Sequence, residues 1–312
     1  MLKTFLTVFL TTTVLGINYD LSGVNWGAIN YSDLPFFVLW GSGPVANQRI
    51  DPIMNPGQTS SQHLHEFTGA NVVSPGMTQA DLQQATCSTF QAKADKSSYW
   101  NSALYFQNPK TGSFTQVPGK AGNNRKVYYS YKTAIGTLQP GISAFPPGFK
   151  MMTGDPLART EEAVQACPGA ECGYHQMGGK VVGWTCQGAG DGTTHAGFPK
   201  GITSCPGGLR GQVVFPDCWN GKDFNPAAPH DHVAFSTGDG GVAGCPSTHQ
   251  VARLPQLYIE VNYDIDQFNG QYTATDSPFV LSTGDKTGFG FHMDFVSPSP
   301  LLSQLPYSPP PH

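Results

Sequence analysis

The sequence predicts a mainly β protein: one β-sandwich or jelly-roll-like domain with a few short helices, braced by disulfides. Three observations support this fold class. Short segments rich in aromatic and β-branched residues recur between turn residues, as strands do. The 312 residues include 37 glycines and 26 prolines, which disfavour long helices. Finally, 7 cysteines are available to cross-link the domain.

Six segments are predicted as strands because each is apolar, short and bounded by Gly, Pro, Asn or Asp. They lie at residues 36–40, 103–107, 126–132, 211–215, 257–263 and 279–282. Two helices are predicted as well. Thr78 and Asp81 form a capping box ahead of the first. Asp155 as N-cap and Pro156 at the first helical position are expected to start the second, which would run to Cys167.

The N-terminus resembles a secretory signal peptide. Lys3 precedes an apolar run over residues 5–15, which is too short and too rich in threonine to cross a bilayer. We expect residues 1–16 to be removed and the protein to be secreted, either extracellular or associated with the cell wall. Residues 17–297 then form a single domain, followed by a proline-rich tail over residues 298–312. Asn30, Tyr31 and Ser32 form a glycosylation tripeptide.

Charge limits the partners. Charged residues make up 12% of the chain, and the formal net charge is −4. Nucleic acids and anionic membranes select basic surfaces, so neither is an expected partner. No stretch of the chain resembles a linker between domains, and we expect a monomer.

The cysteines predict up to three disulfides and one thiol left over, since secretion places them in an oxidising compartment. Cys167 and Cys172 flank a turn-like segment and are candidates for a local loop. Cys218 and Cys245 flank a loop that contains histidines, and bridging them would make that loop rigid. Spacing alone leaves the connectivity open.

The histidines are the strongest candidates for a site. Three pairs of polar residues stand two apart, and residues i and i+2 of an extended segment share a face. We expect His65, His232 and His292 to converge, and His63 to support His65. Asp294 is expected to orient His292. The three pairs are His63/His65, His230/His232 and His292/Asp294. His249 stands alone in "CPSTHQ". In "HLHEF", Leu64 and Glu66 would point to the side opposite the histidines.

Seven ordered motifs make the chain resemble a known family. They include "SSQHLHEFTGANVVS", "FPPGFKMMTGDP", "CPGGLRGQVVFPDCWNGKD", "HDHVAFS" and "FVLSTGDKTGFGFHMDF", and the match runs from about Val45 to Phe295. The family is DUF1996, a fungal secreted family whose members often carry an added WSC carbohydrate-binding module. The resemblance implies an extracellular carbohydrate context, but it implies no reaction.

Three classes of function follow. The first is an enzyme acting on polysaccharide or oligosaccharide, a glycoside hydrolase or a polysaccharide lyase, in which histidines serve as acid and base. The second is a metal-binding protein, because histidines also suit a divalent metal cofactor. The third is a non-catalytic cell-wall glycan-binding protein. For the enzyme, the candidate catalytic residues are His65, His232, His249, His292 and Asp294, and the candidate substrate-binding residues are Tyr99, Trp100, Asp155, Arg210 and Trp219.

Overall fold

The computed structural model describes residues 11–14, 17–20, 36–92, 95–130, 142–168, 178–189, 192–237 and 244–298. The chain divides into two compact units, residues 1–34 and 35–312. In the first unit, strands β1 (Thr11–Val14) and β2 (Ile17–Asp20) pair antiparallel. Removal of residues 1–16 stays a prediction. Asn30 and residues 299–312 lie outside the described residues.

The second unit contains sixteen strands, one short α-helix and a 3₁₀ helix among its described residues. In chain order these are β3 (Phe36–Gly41), β4 (Ala46–Gln48), β5 (His65–Gly69), α1 (Gln79–Gln83), β6 (Ser98–Ser102), β7 (Leu104–Gln107), β8 (Phe114–Gln116), β9 (Arg125–Ser130), β10 (Lys150–Thr153), β11 (Val182–Gln187), β12 (Gly208–Val214), β13 (Cys218–Trp219), β14 (Val233–Ala234), β15 (Ala252–Arg253), β16 (Gln256–Tyr263), the 3₁₀ helix Ile265–Phe268, β17 (Phe279–Leu281) and β18 (Met293–Val296).

Two five-stranded antiparallel sheets form the body of this unit. Sheet one has the order β10-β18-β6-β5-β4, and sheet two has the order β11-β12-β16-β9-β3. Two three-stranded sheets, β14-β13-β15 and β17-β7-β8, lie beside them. The mainly β prediction is confirmed: the described residues form several antiparallel sheets, and none of these sheets closes into a barrel.

The main core lies between the two large sheets. On β16, alternate residues enter it because side chains alternate between the two faces of a strand. They are Leu257, Ile259, Val261 and Tyr263, each at most 1% exposed. Polar contacts also cross between the sheets: the hydroxyl groups of Tyr99 and Tyr129 are hydrogen-bonded, and Thr153 donates to the carbonyl of Val214 at 2.7 Å.

The outer face of sheet one carries a second apolar layer. Phe67, Trp100, Met152 and Val296 point outward from four neighbouring strands, and all are buried. Chain segments between residues 50 and 85 cover them with apolar side chains, namely Ile50, Ile53, Met77, Leu82 and Ala85. Sheet one is therefore covered on both faces, which is how polar side chains on its outer face become buried.

The predicted strands are all present, with ends shifted by a few residues. The capping box is confirmed: the side chain of Thr78 accepts a hydrogen bond from the backbone of Asp81, whose carboxylate accepts one from the backbone of Thr78. The helix predicted to begin at Asp155 is wrong. Residues 155–165 form consecutive turns, in which Ala158 bonds Asp155 and Val164 bonds Glu161, each three residues back. None of the described helices is long and apolar enough to cross a membrane.

Two disulfides are described in full. Cys218 and Cys245, one of the two candidate pairs, are bridged, and Cys186 pairs with Cys205. Cys167 is also disulfide-bonded, while Cys172 lies outside the described residues. Cys87 is a free, exposed thiol, which agrees with the expectation of one thiol left over.

Removing the Cys218–Cys245 bridge by a double serine substitution is expected to lower the free energy of unfolding by about 2–4 kcal/mol. The bridge spans 27 residues and restricts the unfolded chain. Urea unfolding of the variant and of the parent protein measures the difference. As a control, Cys87→Ser should leave stability unchanged within about 0.5 kcal/mol, because that thiol is unpaired.

Candidate metal centre

Three histidines converge on the outer face of sheet one. His63, His65 and His292 each offer a ring nitrogen, and these nitrogens lie within 4.8 Å of one another. Among the described residues, this is the group of His, Cys, Asp and Glu side chains close enough to share one metal ion. His65 and His292 are buried, whereas His63 is partly exposed. The cluster therefore opens to solvent on the His63 side.

Strand pairing explains the convergence of residues 229 positions apart. His65 begins β5 and pairs with Ser102 of β6. His292 directly precedes β18, whose first residue, Met293, pairs with Asn101. Continuing that register places His292 on the other side of Ser102, so His65 and His292 occupy one row on the same face. Their ring centroids are 5.8 Å apart, and the ring of His63 lies 4.2 Å from that of His65.

The backbone fixes the tautomers of the two buried rings. Nδ1 of His65 donates to the carbonyl of Ile50 at 2.8 Å, and Nδ1 of His292 donates to the carbonyl of Gly290 at 3.1 Å. Each Nε2 is thus left with a lone pair. Nε2 of His65 has no hydrogen-bond partner, and Nε2 of His292 faces Nε2 of His63 at 3.1 Å. Metal-ligating histidines have this arrangement, in which a backbone or carboxylate oxygen holds the other ring nitrogen.

Burial keeps the rings neutral. Loss of solvation, together with the neighbouring His292 and Arg49, lowers the pKa of His63 to about 3. The same loss lowers the pKa of His292 to about 4, although its contacts with Gly290 and Asp155 oppose the shift. Burial and the two other histidines hold the pKa of His65 well below its usual range. A metal ion requires the neutral imidazole, and that form is favoured here.

Two loops hold His292 in position. The buried carboxylate of Asp285 accepts hydrogen bonds from the backbone of Thr287 and of Gly290, each at 2.8 Å, which shapes the turn ahead of His292. Gly154, which follows β10, has φ of +81° and packs on His292. A Cβ atom at Gly154 would lie 2.9 Å from Cα of His292, so only glycine allows the approach.

Asp294 does not orient His292, contrary to expectation. The ring of His292 has its contacts with Gly290 and His63 instead. Asp294 points outward one row further along β18, and both of its carboxylate oxygens are buried without a hydrogen-bond partner. Burial, with a smaller contribution from nearby Asp51, raises its pKa well above the usual range. A neutral acid at this position has no charge with which to stabilise an imidazolium.

His232 belongs to a different structure from the three converging histidines. Nε2 of His232 donates to the carbonyl of Lys150 at 2.8 Å, and the ring of His230 is hydrogen-bonded to the backbone of Met152. Lys150 and Met152 stand two apart on β10, the edge strand of sheet one. The histidine pair therefore matches the spacing of free backbone groups on that edge, and it covers an edge that would otherwise be open to pairing.

The remaining candidates are dispersed. His249 lies near His232, with Nε2 hydrogen-bonded to the carbonyl of Asp231 at 3.1 Å. Arg210 is paired with Glu260 at 2.7 Å on sheet two. Asp155 is partly exposed and close enough to His292 to affect its pKa electrostatically. It is therefore the one substrate-binding candidate beside the three histidines.

The aromatic candidates divide into buried and accessible residues. Tyr99 and Trp100 are 2% and 0% exposed, so neither presents a face on which a sugar ring could stack. Both lie on β6, a central strand covered on both faces. Trp219 is partly exposed and packs against Phe149 with ring centroids 5.9 Å apart.

His63, which was expected only to support His65, is a full member of the histidine cluster. The signal in the sequence was its position two residues before His65.

Comparison with known proteins gives a family and no activity. The model of the family described as "Domain of unknown function (DUF1996)" matches residues 51–298, which include all three converging histidines. No curated protein and no solved structure matches the chain significantly. Because the family model covers well over half of the sequence, the chain belongs to the DUF1996 family.

Proposed function

We propose that this protein binds one divalent transition-metal ion through His63, His65 and His292. The observation that carries the proposal is the convergence of three imidazoles, two of which have Nδ1 held by backbone carbonyls and Nε2 directed into the cluster. Imidazole ligands suit zinc and copper. Three protein ligands with a side open to solvent are typical of catalytic rather than structural zinc sites.

We further propose that the metal serves an enzyme that acts on extracellular or cell-wall polysaccharide after secretion, as a glycoside hydrolase or a polysaccharide lyase. A bound metal supplies Lewis acidity, which polarises a substrate oxygen or neutralises a carboxylate. Asp155, a partly exposed carboxylate near His292, would exchange a proton with the substrate. The family's carbohydrate context and the partly exposed His63 support this reading.

Metal analysis tests the first part. The secreted full-length protein is stripped with a chelator, loaded with Zn²⁺ or Cu²⁺ and desalted before elemental analysis. We expect one ion per chain. If the protein remains free of metal after loading with a micromolar excess of Zn²⁺ and, separately, of Cu²⁺, the proposal is contradicted.

A glycan screen tests the second part. Stripped and loaded protein are compared on neutral and acidic polysaccharides, with products detected by mass spectrometry. Products of a lyase carry a new conjugated double bond and therefore absorb in the far ultraviolet. Products of a hydrolase carry no such double bond. Equal turnover with and without metal would support activity on polysaccharide but reject the metal as the catalytic group.

Metal binding is expected to persist at pH 5. Protons compete for an imidazole only near or below its pKa, which burial lowers to about 3 for His63 and about 4 for His292. Histidines with an ordinary pKa would weaken binding by roughly 30-fold per ligand between pH 7.5 and pH 5. Competition with a chromophoric chelator at both pH values measures the change. A loss as large as that of three ordinary histidines would show that the rings are not kept neutral by burial.

A further inference from the structure

A groove lies beside edge strand β10. Phe149, Trp219 and Phe224 line it with aromatic rings, and Lys150, Lys222 and Asp223 supply its charged groups. Its volume of about 320 Å³ is at the lower end of the range for small-molecule sites, about 300–1,000 Å³. Such a groove has room for a sugar ring and its neighbours in a chain.

The aromatic surface of the groove is fixed before any ligand arrives. The indole Nε1 of Trp219 donates to the carbonyl of Lys222 at 2.7 Å, and the preceding Cys218 is bridged to Cys245. Strand β13, which carries Trp219, is paired on both sides. Below the groove, the ring of His232 packs between Phe149 and Phe224. A preformed surface binds with little loss of conformational entropy.

The charges of the groove favour an anion. Lys150 and Lys222 contribute two positive charges against one negative charge from Asp223. Within the described part of the chain, neither lysine is in a salt bridge, although the chain as a whole has a net charge of −4. A ligand with an apolar face and a carboxylate would satisfy both the rings and the lysines.

Strand β10 connects the groove to the three histidines, because Lys150 lines the groove and Gly154 follows the strand. Lys150 and Gly154 both point to the outer side, on which Gly154 contacts His292. They stand four positions apart along the chain, which corresponds to about 13 Å in an extended strand. A polysaccharide held in the groove therefore has only a few sugar rings to span before it reaches the histidines.

We infer that this groove binds a sugar ring of an acidic polysaccharide, with a uronate carboxylate between Lys150 and Lys222 and the ring stacked on Trp219. The inference rests on the proposed function only for the direction of the bound chain; binding in the groove needs no metal. It names the substrate class as a uronic acid polymer.

Titration calorimetry with the intact protein tests the inference. The ligands are oligogalacturonate and a neutral galactose oligomer of equal length, each added to stripped and to metal-loaded protein. We expect binding of the acidic oligomer in both states, at least about tenfold tighter than binding of the neutral one. Trp219→Ala should weaken it by about tenfold or more. Lys150→Ala and Lys222→Ala, which change charges at the rim, should each reduce the preference for the acidic oligomer.

Trp40→Ala is the matched control. Trp40 is also partly exposed and has an ammonium group, that of Lys126, 4.4 Å from its ring, but it belongs to sheet two. Equal loss of affinity in this variant and in Trp219→Ala would overturn the inference, as would unchanged affinity in both lysine variants. A proline-rich peptide is added as a third ligand. If the peptide binds and neither oligosaccharide does, the groove is a peptide site and the inference is overturned. Sugar binding without metal loading, in a protein that never retains metal, would uphold the groove and reject the metal centre.

Discussion

Replacing His292 with alanine is expected to lower affinity for the metal by at least a factor on the order of 100, since even the loss of a group that only hydrogen-bonds to a metal ligand costs about 10–100-fold. His292 is the proposed ligand from the far end of the chain, and its Nε2 lies 3.1 Å from Nε2 of His63. Without it, His63 and His65 are left as a pair. Elemental analysis after loading and desalting should find well under one ion per chain.

Folding has to be monitored in the same samples because His292 is buried. The substitution removes a polar ring from a partly polar environment, and we expect the melting temperature of the metal-free variant to change by only a few degrees. His292→Gln preserves side-chain volume and tests whether a cavity causes the loss of metal. His249→Ala is the control, since this ring lies outside the cluster and should leave metal content unchanged. Full metal occupancy in both His292 variants would reject the site.

The sequence was sufficient for the strand pattern and for one half of the site. Aromatic and β-branched segments between turn residues identified the strands, and the alternation of "HLHEF" separated His65 from Glu66. In the structure, His65 lies on the outer face of sheet one, while Glu66 points inward to Arg125. Both results follow from local geometry, because the two-residue period of a strand needs no knowledge of the fold.

The expected convergence of His65 with His292 is present, but the sequence could not show that His232 lies elsewhere. Two histidines two apart fit a shared functional face, but they equally fit two free carbonyls on an edge strand, which have the same spacing. His230 and His232 have the second role on β10, and the choice depends on which strand lies at the edge. The register that joins His65 to His292 through Ser102 likewise arises from pairing over long separations. The predicted helix at Asp155 is absent although its local signal is present: the backbone of Leu157 donates to the side chain of Asp155 at 2.8 Å, but turns follow.

A second large effect is expected on the inner side of sheet one, at the ion pair between Glu66 of β5 and Arg125. Arg125 of β9 donates to the carboxylate of Glu66 at 2.7 Å, and both side chains are at most 5% exposed. Asn101 and Gln116 also donate to that carboxylate. Glu66 is the residue directly after His65, so the pair ties the strand that carries His65 to the opposite sheet.

Arg125→Met should therefore lower the free energy of unfolding by about 3–5 kcal/mol, because it leaves the Glu66 carboxylate buried with no opposite charge. Arg210→Met is the matched control: its ion pair with Glu260 is partly exposed, and Glu260 also pairs with Lys126, so a smaller loss is expected. In the double variant Glu66→Gln/Arg125→Met, much of the lost stability should return, since no charge remains buried. Urea unfolding of metal-free protein measures all four chains. If the single Arg125 variant were as stable as the Arg210 variant, the pair would not anchor β5, and the position of His65 would have to depend on the outer layer alone.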